Sequence, residues 1–232
     1  MAVHENKEKI SISEWGKVFL NWTEEKQYSA MVRLWEEFNL NNFLDGKKDG
    51  QCEKISDDEY RSFVQDFNVR DHFVVTLNHK KFILKSFSRF QKFFESNNLK
   101  QEQIEKHDDS KLTNFLEIVG YTQRWIWNTK TDAWKDAWKH HYTTNPHHPE
   151  YYQCLLGSGE ITQTDMNDLD IAESVIDMLA CRWERKLNGK EDVEKRDLLD
   201  IEEFYLERYT DRDRVEVKNI LKHLMESPDG TK

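Results

Sequence analysis

The sequence predicts an all-α protein, a helical bundle, on three observations. Only three prolines and eight glycines occur in 232 residues. Aromatic residues make up 12% of the chain and charged residues 34%, a globular rather than disordered balance. Apolar side chains recur mainly at spacings of three and four, the period of a helix with one buried face.

The length suits one compact unit, with residues 1–70 expected as an N-terminal helical extension packed on a core domain over residues 71–228. The formal charge of −10 argues against an extended nucleic-acid surface but leaves room for a local basic strip that holds a small anionic substrate. Cys52, Cys154 and Cys181 are far apart and form no Cys-x-x-Cys pair, so neither a disulfide framework nor a thiolate zinc site is expected. Met1 to Asn6 is polar, and no apolar run approaches the roughly 20 residues that span a bilayer. The expectation is a soluble, cytoplasmic protein without a membrane partner; a homo-oligomer is compatible with the sequence.

Ser11 to Phe43 carries Trp15, Phe19, Trp22, Met31, Leu34, Trp35 and Phe38, which predict two short amphipathic helices broken near Thr23. Asp45 to Glu53 is a loop; its Asp45, Asp49 and Glu53 lack the central glycine and closing glutamate of a calcium loop. Ser56 and Glu59 form a capping box for the next helix. A helix over 72–96 then places Val75, His79, Ile83, Phe87, Phe90 and Phe94 on one face. His79 therefore needs a partner, as a core hydrogen bond or as a metal ligand, because a buried unpaired imidazole costs about 1–3 kcal/mol. His72 shares that face nearer the helix end and is less suited to take part.

The following helix has Ile104, His107, Asp108, Lys111, Leu112, Phe115, Leu116 and Val119 on one side and is expected to stop at Gly120. Four tryptophans follow, Trp125, Trp127, Trp134 and Trp138. A helix from about Thr131 puts Trp134, Ala137, Trp138 and His141 on one stripe, with His140 turned about 100° away. The tryptophans read as a wall behind a site. After Gly157-Ser158-Gly159, a helix over 164–187 buries Leu169, Ala172, Ile176, Leu179, Trp183 and Leu187 and carries Asp170, Glu173 and Asp177 on its flank. The last segment, 197–225, predicts one or two amphipathic helices broken around Asp211.

Chemistry concentrates in the histidines. Five of the nine fall between His107 and His148, beside Asp108 and within a stretch that reads His140-His141-Tyr142-Thr143-Thr144-Asn145-Pro146-His147-His148-Pro149-Glu150. Imidazoles and carboxylates are the usual ligands of zinc, iron, manganese and cobalt, and the flanking prolines limit the order that an ion must impose.

A histidine on one helix, His107-Asp108 on the next and an aspartate on a later helix is an order that resembles the HD superfamily of metal-dependent phosphohydrolases. His107-Asp108-Asp109-Ser110-Lys111 and the His-His-Pro-Glu segment are closer still to a little-characterised HD-like family of phage and bacterial proteins. The resemblance covers roughly residues 72–210. Relatives tend to read Glu-Met and then Asp-Trp, where this chain has Asp177-Met178 and then Cys181-Arg182-Trp183.

What the resemblance implies is an HD-like bundle in which His79, His107, Asp108, His141, His147, His148 and Asp177 hold one or two divalent ions (Mn, Fe, Co, Zn or Mg), with Glu173 the alternative to Asp177. The expected substrate is a nucleotide or another small phosphoester. Asp108 would bridge ions or orient water, Lys111 would hold a phosphate oxygen, and His147, His148 or Glu150 would bind a second ion or protonate the leaving oxygen. The competing expectations are an HD-fold di-iron oxygenase and a non-catalytic binding or regulatory module.

Overall fold

The computed structural model describes residues 69–127 and 130–227, with a few positions between 21 and 29. The expected extension over 1–70, its amphipathic segments, the 45–53 loop and the Ser56 cap therefore lie almost wholly outside the described residues, as do the side chains of Phe115, Trp125 and Trp127. The described chain is all-α apart from one small hairpin. In order it forms α1 (Val69–Arg89), α2 (Gln91–Ser96), α3 (Gln101–Ile104), α4 (Ser110–Thr113), α5 (Phe115–Trp127) and α6 (Asp132–Thr144). A 3-10 turn (Pro149–Tyr152), strands β1 (Gln153–Leu155) and β2 (Ile161–Gln163), α7 (Asp168–Cys181) and a π-helical turn (Arg182–Lys186) follow, and then α8 (Lys195–Leu199), a second 3-10 turn (Glu203–Arg208) and α9 (Asp211–Glu226).

The core lies where α1, α7 and α9 meet. Ile83 and Phe87 of α1 and Phe94 of α2 pack with Ile171, Val175, Ile176 and Leu179 of α7 and with Val217 and Leu224 of α9, all at or below 1% exposure. Burial of each such side chain contributes about 1.5–3 kcal/mol. The phenylalanines keep the expected face even though the helix is interrupted at Phe90 (φ −119°, ψ 25°).

Helix starts follow local chemistry. Thr131, Asn167 and Thr210 each accept a hydrogen bond from the backbone N–H three residues on (3.1, 2.9 and 3.2 Å), which satisfies a donor the first turn leaves over. Asp132, Asp168, Asp170, Asp211 and Asp213 complement the positive helix ends.

Two expectations are corrected. The helix expected to stop at Gly120 runs through it, because a side chain there would meet Ala133 O at 2.3 Å and Ala137 Cβ at 2.4 Å; the glycine lets α5 and α6 lie against each other. The tryptophan stripe is not a buried wall. Ala137 and His141 are fully buried, whereas Trp138 is 38% exposed and stacks with Trp134. The Gly157-Ser158-Gly159 turn closes an antiparallel hairpin (Gln153↔Gln163, Cys154↔Thr162, Leu155↔Ile161), too short and too exposed to show a period-two pattern. No helix among the described residues is long and apolar enough to cross a membrane.

Candidate metal centre

Five separate pieces of chain deliver the site. His79 comes from α1, His107 and Asp108 from the link between α3 and α4, His141 from the last turn of α6, His147 and His148 from the proline turn, and Asp177 from α7. The link is not helical as the sequence suggested. Asp108 sits at φ 60°, the left-handed region that aspartate tolerates better than most residues, and its carboxylate is thereby turned toward the imidazoles. Buried Lys80 holds this geometry: its ammonium donates to the carbonyls of Glu105 (2.9 Å) and His107 (2.5 Å) and to Asp109 Oδ1 (2.6 Å).

The proline turn is built from the end of α6. Asn145 Nδ2 donates to His141 O at 2.7 Å, His148 N–H donates to Asn145 O at 3.0 Å, and Pro149 starts the 3-10 turn where its missing N–H costs nothing. The His147 and His148 rings fold back over the centre: His107 to His147 and His147 to His148 are both 4.1 Å between ring centroids, and His141 to His148 is 4.8 Å.

Three groups of candidate ligand atoms result among the described residues: His107, His147 and Glu173 form one, and the other two meet at Asp108. His79, His107 and Asp177 offer atoms that all lie within 4.8 Å of one another, with His79 Nε2 at 3.0 Å and His107 Nε2 at 3.8 Å from Asp177 Oδ1. Asp108, His141, His147 and His148 form a second such group, in which Asp108 Oδ1 is 3.1 Å from His141 Nε2 and 3.8 Å from His147 Nε2. Asp108 joins them. Its Oδ2 lies 3.8 Å from His79 Nε2, and Oδ1 is also 3.7 Å from His107 Nε2.

The donor set has a deficit that a cation would fill. Among the described residues seven buried side-chain polar atoms lack a hydrogen-bond partner, and five of them are His107 Nε2, Asp108 Oδ1, His141 Nε2, His147 Nε2 and His148 Nε2. The 3.1 Å contact between Asp108 and His141 does not have hydrogen-bond alignment. One unmade bond costs about 1–3 kcal/mol, so five converging on one spot ask for a common partner, and a metal ion fits lone pairs on imidazole nitrogen and carboxylate oxygen.

The opposite ring nitrogens are held by carboxylates. His107 Nδ1 lies 2.8 Å and His147 Nδ1 3.3 Å from Glu173 Oε1, His141 Nδ1 lies 3.1 Å from Glu117 Oε2, and His79 Nδ1 lies 3.2 Å from Glu184 Oε2. Carboxylates behind imidazoles fix the tautomer and aim Nε2 inward, the arrangement that supports metal-ligating histidines. Between the two α7 candidates the geometry thus puts Asp177 among the inward ligand atoms and Glu173 behind two rings. Glu117 and Glu184 are absent from the sequence reading. Glu184 was findable, seven residues after Asp177 and so on the same face; fully buried Glu117, among apolar positions of α5, demanded a partner as His79 did.

Electrostatics keep the carboxylates of the cluster ionised. Burial alone would push the Asp108 carboxyl up, but Lys111, His107 and His141 hold it well below the usual range; the Lys111 ammonium is 2.5 Å from Asp108 Oδ2. Burial works against Glu173 and Glu117 too, yet their histidine partners keep both at about 2. His79 is lowered by burial and raised more by Asp177 and Glu184, to about 9.

Glu150, His72 and Lys111 each have a partner within the protein. Glu150, expected as a proton donor or second-ion ligand, takes the Arg208 guanidinium on both oxygens (Nε to Oε1, 2.9 Å) and lies outside the ligand groups. His72 also stays outside: its Nε2–H donates to Lys111 O at 2.6 Å and its ring stacks on Tyr121. Lys111, expected to face a phosphate oxygen, rests on Asp108.

Fold and site together define a class, a helical protein with a buried histidine–carboxylate centre able to hold metal ions. Residues 68–225 match a family of unknown function (DUF5662), and the chain belongs to it. No curated protein and no solved structure matches the chain.

Proposed function

We propose that this protein is a metal-dependent phosphohydrolase of the HD type, with two divalent ions, acting on a nucleotide or another small phosphoester. The observation that carries the reading is Asp108, one buried carboxylate with an oxygen toward each of two ligand groups. Ions bound there supply water activation near neutral pH and neutralise charge on a phosphoryl oxygen. Mixed imidazole and carboxylate ligands favour manganese, iron, cobalt or zinc over magnesium, which prefers oxygen. The chain's own contribution is to keep Asp108 ionised through Lys111, to aim the imidazoles through Glu117, Glu173 and Glu184, and to offer cations beside the opening at Asp177.

The test is a screen of nucleotides, cyclic dinucleotides and simple phosphoesters with each metal. The reading expects phosphate release or diester cleavage that disappears in Asp108→Asn. Absence of turnover with every metal in metal-loaded protein overturns it, and oxygen consumption by the iron-loaded form would transfer the site to an oxygenase.

A further inference from the structure

The buried centre opens on one side. Asp177 keeps 20% of its side chain exposed, while Asp108, His107 and His141 are at 1% or less. The cleft onto which Asp177 opens is lined by Tyr142, Tyr205, Arg182, Arg185, Lys186 and Arg208. Three of these come from the π-helical turn directly after α7, where Leu187 N–H donates to Arg182 O five residues back. Such widened turns are rare and often sit at functional sites, and here one directs cations at the mouth of the centre.

Three of the four cations are committed. Arg182 binds Asp197 O and Asp200 Oδ2, Lys186 lies 3.2 Å from Glu202, and Arg208 is held by Glu150. Arg185 makes no hydrogen bond and no ion pair among the described residues. A guanidinium is a planar fork suited to carboxylate or phosphate, and this one lines the same cleft as Asp177.

We propose that Arg185 is the anion subsite of this centre: it takes a second anionic group of the substrate, a carboxylate or a phosphate, while the scissile phosphoryl group lies at the metals. The inference rests on the phosphohydrolase reading and narrows it to doubly anionic phosphoesters, excluding simple monoesters of neutral alcohols as preferred substrates.

The test uses non-hydrolysable probes on the metal-loaded full chain, by calorimetry, with metal content measured afterwards. Methylphosphonate carries one anionic group; phosphonoacetate and 3-phosphonopropionate carry two. At least one of the latter pair is expected to bind wild type about tenfold more tightly than methylphosphonate. Arg185→Gln is expected to remove that advantage, leaving methylphosphonate affinity and the unfolding midpoint unchanged, and Arg185→Lys to restore part of it. Equal affinities in wild type, or an advantage that survives Arg185→Gln, overturns the subsite and leaves the metal-centre reading standing. Methylphosphonate binding that is the same with and without metal overturns both.

Discussion

Oε1 of Glu173 lies 2.8 Å from Nδ1 of His107, and the same oxygen reaches Nδ1 of His147 at 3.3 Å. One carboxylate therefore contacts one imidazole from each of the two groups that meet at Asp108. Glu173→Gln is expected to weaken metal binding by roughly 10–100-fold without unfolding the protein. Competition against a fluorescent chelator measures this; unchanged affinity would mean that Glu173 merely fills space.

Asp108 combines a left-handed backbone with the shared carboxylate. Asp108→Asn keeps the conformation, since asparagine also adopts it, and removes the charge. Asp108→Ala loses both and should be less stable than Asp108→Asn by about 1 kcal/mol in the presence of chelator. Urea denaturation of the two variants compares them directly. Equal stability would show that the backbone at 108 is not strained.

His72 gives a pH signature away from the ligands. Burial lowers its pKa from 6.5 to about 4, although the hydrogen bond to Lys111 O works in the opposite direction. The unfolded chain takes up a proton near pH 6.5 that the folded protein refuses until about pH 4, so this residue's contribution falls as pH drops through that window. The loss amounts to ~3 kcal/mol at pH 4. Denaturant titrations from pH 7 to 4 should show a shallower acid dependence in His72→Gln, which keeps a donor for Lys111 O. Parallel curves would contradict the assignment.

Gly120→Ala replaces a poor helix former with the best one, which alone would add about 1 kcal/mol. The close approach of Ala133 and Ala137 reverses the sign. A net destabilisation of about 2 kcal/mol is expected, because the obstructing atoms include backbone that cannot swing aside. A stabilised variant would show that α5 and α6 separate freely.

Part of this site was legible in the sequence because His79, His141 and Asp177 sit on regular helices. The 4-4-4-3-4 spacing placed His79 inward, the Trp134–His141 spacing separated His141 from His140, and the prolines marked His147 and His148 as held in a tight turn. The unread parts depend on tertiary contacts. Nothing between 101 and 120 signals the left-handed Asp108, which is imposed by Lys80 from another helix. Gly120 carries the usual mark of a helix end, and only the proximity of α6 shows its other use. The sequence neighbours of Glu150 place it beside the histidines, whereas its partner is Arg208, 58 positions away.

Metal content under controlled loading tests the central claim most directly. After reconstitution with manganese or cobalt and desalting, the full chain is expected to retain about two ions. Asp177→Ala and His141→Ala, one from each ligand group, should each retain about one, and the Asp108→Ala/His107→Ala double variant close to none. A wild type that holds no more metal than that double variant would contradict the account, because the five inward atoms would then share no ion.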